Sequence, residues 1–83
     1  MPEIKITFSN GYTVVFHEEQ AFQTRVKSNN KLINGEVFTL WSNENSLMVP
    51  SFLKILENSD FFYDIEKPEI LYNSTKVVNC EEV

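Results

Sequence analysis

Hydrophobic and polar residues alternate along the first part of the chain, in the pattern of strands with one buried face. Residues 4–8 read Ile-Lys-Ile-Thr-Phe, and residues 12–16 resume the alternation after Asn10-Gly11. A two-residue turn would put the apolar residues of the two runs on opposite faces, whereas a three-residue loop puts all six on one face. We predict a hairpin of strands 3–9 and 12–18 in the second register, with Gly11 in the left-handed conformation that such a loop requires.

Residues 22–41 continue the strand pattern less regularly. Alternation over 22–28 predicts a strand, although Phe22 and Val26 also fit one turn of a helix. A second Asn-Gly, at 34–35, is typical of a turn and precedes a predicted strand over 36–41, but neither loop length there gives one clean apolar face. The outer face of the 22–28 strand would carry a basic edge that discourages pairing with further strands, formed by Arg25, Lys27 and Lys31.

A helical period begins near Pro50, a residue suited to the first turn of a helix. The residues at 52, 55, 56, 59, 62 and 63 fall on one side of a helix, which predicts an amphipathic helix over about 50–63. Asn58 and Ser59 both favour caps and turns, so a break at that point stays open. Lys67-Pro68 ends the helix, and two short strands, about 69–73 and 76–81, are predicted around Asn73-Ser74.

The order of these elements predicts an α+β fold. Strands, one amphipathic helix and further strands indicate a small antiparallel β-sheet built from hairpins, with the helix packed on one of its faces. The 83 residues are predicted to form a single domain, 1–83. A domain of this size buries a limited core, so homodimerisation is an expected option.

Charge and composition narrow the classes of partner and compartment. The net charge is −5, and it arises entirely in residues 43–83, where eight acidic residues oppose three lysines. This balance disfavours direct nucleic-acid binding, which needs a basic stripe. With one cysteine, no signal-like start and no membrane-length apolar run, we expect a cytoplasmic protein and no membrane association. Nine Asn residues and many Lys and Ile point to a low-GC bacterium or its phage.

The sequence lacks the groupings that enzymes and cofactor sites require. His17 stands beside Glu18 and Glu19, but a zinc site needs three or four well-placed ligands, and neighbours on a strand point to opposite faces. Cys80 could act as a nucleophile only with a base nearby, and His17 is the one imidazole, so we predict a core role for Cys80. Phosphate-binding loops need clustered glycines, which are absent. We therefore expect no enzymatic activity, no metal and no cofactor.

Three features of the sequence could bind a partner. On a continuous helix, Glu57, Asp60 and Asp64 would form one acidic stripe, extended by Glu66. Phe61 would lie opposite the apolar face as an exposed anchor, unless the helix breaks before it and turns it inward. Trp41, at the end of its strand, is expected in the core or at a rim.

These features predict a small non-enzymatic protein-binding or regulatory domain. Its partner is another protein, which can be a nucleic-acid-binding one or a second copy of the chain. The alternative is an acidic inhibitor, phage-encoded and similar in its action to anti-CRISPR proteins, that occupies the basic groove of a nucleic-acid-binding enzyme by mimicking phosphates.

Overall fold

The computed structural model describes residues 2–83; Met1, the first residue of the predicted domain, lies outside them. The elements in chain order are β1 (Glu3–Phe8), β2 (Thr13–His17), β3 (Ala21–Ser28), β4 (Lys31–Thr39), α1 (Val49–Glu57), β5 (Phe61–Asp64), β6 (Tyr72–Asn73), a 3-10 turn (Ser74–Lys76) and β7 (Val77–Glu82).

The strands within residues 2–83 form two antiparallel sheets. One has the order β2-β1-β7 and the other the order β4-β3-β5-β6. With the single helix among the same residues, this arrangement confirms the α+β class. The last strand, β7, returns to pair with the first, β1, so the two ends of the described chain lie in the same sheet.

The first hairpin has the predicted register. Ile4 lies opposite Phe16 and Ile6 opposite Val14, and the loop is closed by the Phe8 N–H, which donates to the Tyr12 carbonyl at 2.8 Å. Gly11 has a φ of 89°, the left-handed conformation expected of it. The apolar face of the hairpin is therefore turned to the core, apart from Tyr12, which is half exposed.

The second hairpin does not turn at the predicted Asn34-Gly35. Residues 22–28 form a strand as expected, but the turn is Asn29-Asn30, both with positive φ, and β4 begins at Lys31 instead of Glu36. The predicted turn at Asn34-Gly35 is wrong. Gly35 lies inside β4 in a bulge, where Gly35 and Glu36 together oppose Thr24.

Gly35 is required there by a close approach of two strands. A Cβ at this position would lie 2.6 Å from the Thr24 hydroxyl oxygen. That hydroxyl is fully buried and donates to the Glu36 carbonyl at 2.6 Å, so it cannot move away without losing its partner. The bulge explains why neither loop length gave a clean face in the sequence, because an extra residue reverses the alternation along β4.

The predicted helix over 50–63 is too long. α1 ends at Glu57, and residues 61–64 form β5, which pairs with β3 between Arg25 and Phe61 at one end and Phe22 and Asp64 at the other. The Asn58 side-chain amide donates to the Lys54 carbonyl, and the Ser59 hydroxyl donates to the Ile55 carbonyl. These two residues therefore cap the last turn of α1. The helix breaks where the sequence left the question open.

The core lies between the two sheets and α1. Phe16 is its centre, with its ring against Phe22, Phe52, Phe62 and Tyr72 at centroid separations of 4.7 to 6.4 Å. The other buried apolar residues around this cluster are Ile4, Ile6, Phe8, Leu40, Met48 and Ile55. Edge-to-face packing of this kind fixes the sheets relative to α1.

Candidate functional site

The predicted acidic stripe is not formed, because its residues belong to different elements. Asp64 lies in β5, is 7% exposed and accepts hydrogen bonds from the Gln20 side-chain amide at 2.7 Å and the Glu66 N–H at 2.9 Å. Asp60 precedes β5 and accepts from the Lys27 backbone N–H at 2.8 Å. Glu57, at the end of α1, and Glu66 are exposed. Two of the four carboxylates are therefore engaged within the fold: Asp60 binds β3, and Asp64 binds the Gln20 side chain just before β3.

Phe61 fits neither predicted alternative. The helix does break before it, but its neighbour Phe62 is the residue that enters the core, with no exposed surface. Phe61 lies half-buried on the opposite face of β5, with the Lys27 ammonium 6.0 Å from its ring centroid. A cation at this distance from a partly exposed ring contributes about 0.5–1 kcal/mol, so this is a local contact between β3 and β5.

Trp41 is the predicted aromatic site residue that the fold leaves exposed. It directly follows the fully buried Leu40, and its own side chain is 54% exposed. A groove of about 380 Å³ opens beside it between the end of β4 and the first turns of α1. The walls of this Trp41 groove are Phe38, Thr39, Trp41, Ser42, Asn43, Pro50, Ser51 and Lys54. An apolar floor with a few polar groups is the usual character of a binding surface.

Two glutamates far away in sequence fix the walls of the Trp41 groove. The Glu18 carboxylate accepts the Ser42 N–H at 2.9 Å and also the Ser42 hydroxyl, and these bonds lower the pKa of Glu18. The Glu82 carboxylate accepts the Met48 and Val49 N–H groups at 2.8 and 2.7 Å, which caps the start of α1. Neither role has a local sequence signal, because the partners are 24 to 34 residues apart.

The outer edge of β4 is open along the approach to the groove. Within residues 2–83, β4 pairs with β3 alone, so its other side has no neighbouring strand. The strand is nine residues long and carries exposed Ile33 and Val37, at 48% and 53%. A long edge with exposed apolar side chains is a place where another chain can add a strand.

A second groove lies on another side of the molecule. Its volume is about 400 Å³, and its floor is built from Phe8, Tyr12 and Tyr72. Tyr72 stacks between Phe8 and Phe62, at 5.5 and 5.2 Å, and burial raises the pKa of Tyr72 to about 12. Its ring therefore belongs to the core, and the accessible aromatic side chain of this groove is Tyr12, which is 48% exposed.

His17 and Cys80 are not brought together. They lie on opposite sides of β1, His17 opposite Glu3 and Cys80 opposite Ile6, which places them about 9.5 Å apart across the sheet and about 10 Å along it. Cys80 packs against the core, and burial raises the pKa of its thiol. Among the described residues, no three His, Cys, Asp or Glu side chains are grouped as metal ligands.

Comparison with known proteins adds no relative to this description. No family model, curated protein or solved structure matches the chain. In the part of the chain that the structure describes, no helix has both the length and the apolar character needed to cross a bilayer.

Proposed function

We propose that this chain is a non-enzymatic, regulatory protein-binding domain that docks its partner at the Trp41 groove. The observation that carries the proposal is Trp41 itself, a large aromatic side chain left more than half exposed at the mouth of a groove. Tryptophan is the side chain most enriched at the energetic centres of protein interfaces, where covering it with a partner stabilises the complex most. We place its action in the cytoplasm of a bacterial or phage-infected cell.

The rigidity of the groove supports this role. The Trp41 N–H donates to the Ser51 hydroxyl at 3.3 Å, Ser42 is fixed by Glu18, and the start of α1 is fixed by Glu82. A surface that is already ordered loses little conformational entropy when it binds, so more of the contact energy appears as affinity.

The test is capture of a partner from a low-GC bacterial lysate with matched variants of the bait. Trp41→Ala should lower recovery at least about thirtyfold, the equivalent of about 2 kcal/mol for a central interface residue. Val78→Ala is the control, because Val78 is 64% exposed on β7 in the other sheet. Trp41 is the only tryptophan of the chain, so its emission should shift to the blue when the purified partner is added. Equal recovery by all three baits would contradict the proposal.

The acidic-inhibitor alternative is separated by the salt dependence of the same complex. Its helical stripe is not formed, and what favours it is the net charge of −5 with exposed Glu57, Glu66 and Glu69. A nucleic-acid-binding partner that is released at moderate salt, is displaced by added DNA and binds Trp41→Ala normally would favour that alternative. A partner held by the Trp41 groove should instead survive high salt, because apolar burial is not screened.

A further inference from the structure

We propose that the partner docks as an extended, acidic segment that pairs with the open edge of β4 and places an apolar side chain in the Trp41 groove. This inference rests on the proposed function and adds the conformation and the charge of the bound segment. The open edge of β4 is the side of residues 31–39 that has no neighbouring strand within residues 2–83.

The hydrogen-bonding pattern of β4 shows which backbone groups are free to pair. In an antiparallel ladder, alternate residues direct both N–H and C=O to the same neighbour. Because Ser28 and Lys31 close the two-residue turn, the backbone N–H and C=O groups of Lys31 and Ile33 face β3, and those of Leu32 and Asn34 face the open side.

Beyond the bulge, the open side is formed by other residues. The Leu40 N–H donates to the Gln20 carbonyl, so the backbone groups of Val37 and Thr39 face the open side.

Side chains already occupy some of the open carbonyls but leave the N–H groups available. The Arg25 guanidinium donates to the Leu32 carbonyl at 3.1 Å, and the Ser51 hydroxyl donates to the Thr39 carbonyl at 3.4 Å. An added strand can therefore accept from the Val37 and Thr39 N–H groups next to the groove, and its own N–H groups can donate to the Asn34 and Val37 carbonyls.

The open edge and the Trp41 groove form one continuous surface. Phe38 and Thr39 belong both to β4 and to the wall of the groove. A strand paired with Val37 and Thr39 reaches Trp41 within two residues, a distance of about 7 Å along the strand. Strand addition commonly works in this way, with main-chain bonds giving affinity and a pocket for an alternate side chain giving specificity.

Charge around the edge favours an acidic segment. Arg25 and Lys31 lie at the β3–β4 hairpin and Lys54 in the groove wall, so three of the seven basic residues of an acidic chain are near this edge. The Lys27 ammonium lies on the other side of β3, over the Phe61 ring of β5. The carboxylates nearby are Glu36 within β4 and Glu18, which is already bound by the Ser42 N–H and hydroxyl in the groove wall. A second copy of the chain pairing through β4 would bring two such cationic sets together, which like-charge repulsion opposes.

The experiment uses a library of nine-residue peptides displayed on phage, the length of β4, selected on the full chain. Peptides of alternating apolar and acidic residues should be enriched on the wild type and on Val78→Ala and lost on Trp41→Ala. Bound peptide should slow amide exchange about tenfold or more at Leu32 or Asn34 and at Val37 and Thr39. Exchange at Ile33 and Phe38, which already pair with β3, should change little. N-methylation of alternate peptide residues in one register should abolish binding.

The outcomes separate the inference from the function on which it rests. Peptides that shift the Trp41 emission without protecting the Val37 and Thr39 amides would overturn strand addition and leave groove docking intact. Enrichment of basic or helical peptides would overturn the inference in the same way. The proposed segment would be overturned if no peptide were enriched, or if the chain formed a β4-paired homodimer, detected by its mass in solution. If capture from lysate did not depend on Trp41, the proposed function would be overturned as well.

Discussion

Glu82, in β7 of the β2-β1-β7 sheet, is expected to fix the start of α1. Replacing it tests how much this contact stabilises the domain. α1 begins at Val49 after Met48, with neither a side-chain cap from its own segment nor an acidic residue in its first turn. The Glu82 carboxylate of β7 supplies both, at 2.8 and 2.7 Å from the Met48 and Val49 nitrogens. The first turn of α1 in turn provides Pro50 and Ser51 to the groove.

The size of the effect follows from these two bonds. Replacing a capping side chain with alanine costs about 1 kcal/mol, and loss of a negative charge from a helix N-terminus adds about 0.3–1 kcal/mol. Glu82→Ala should therefore lower the free energy of unfolding by about 2 kcal/mol, which in a domain of this size lowers Tm by about 10 °C. Glu82→Gln keeps one acceptor oxygen and loses the charge, so about half of that effect is expected.

The control is the neighbouring carboxylate. Glu81 faces the other side of β7, is about half exposed and lies 3.5 Å from the Lys5 ammonium. An exposed ion pair of this kind contributes about 0–1 kcal/mol, so Glu81→Ala should change stability little. Urea unfolding followed by far-UV circular dichroism measures all three variants. If Glu82→Ala were no more destabilising than Glu81→Ala, the capping argument would be refuted.

Three further predictions concern the bulge and two titrating groups. Gly35→Ala should lower the free energy of unfolding by about 2 kcal/mol, since the added Cβ meets the buried Thr24 hydroxyl. In a double-mutant cycle with Thr24→Ala, the two losses of stability should sum to more than the loss in the double mutant, and additive losses would contradict the contact. Because the pKa of Tyr72 is raised from 10.0 to about 12, its protonated form favours the folded state: that stabilisation is complete below pH 10 and is lost as the pH rises to 12. Tyr72→Phe should therefore lose less stability than the wild type over this range, and parallel curves would argue against a buried phenol. Since burial raises the pKa of Cys80, its thiol should react with a thiol reagent more slowly in the native than in the urea-unfolded chain, and equal rates would show that it is not shielded.

The bulge in β4 connects the fold to the proposed docking surface. It reverses the alternation of β4 halfway along, so Leu32 and Val37 both lie on the outer face of the sheet although they are five positions apart. A regular strand would have turned one of them inward. The irregular edge is also a poor template for pairing with itself, which is consistent with an edge that accepts a particular partner strand.

The sequence alone determined the elements whose side chains repeat with a clear period. The alternation at 4–8 and 12–16, with Gly11 between, was sufficient for the register of the first hairpin, because only one loop length put all the apolar residues on one face. The helical period placed the start of α1 at Pro50, one residue after its observed start at Val49, and the α+β class followed from the order of elements. Trp41 was named as a site residue, but its exposure was left open.

The tertiary structure decided where the periodic patterns end and which polar residues meet. Residues 61–64 fit a helix or a strand equally well by themselves, and pairing with β3 makes them a strand, since it buries Phe62 and gives Asp60 and Asp64 hydrogen-bond partners. The second hairpin turns at Asn29-Asn30, so Gly35 lies inside β4. It occupies the bulge because only a glycine fits against Thr24 there. The Glu82 cap and the Glu18–Ser42 bond join residues distant in the chain, so local sequence carries no signal for them, yet they build the groove around Trp41.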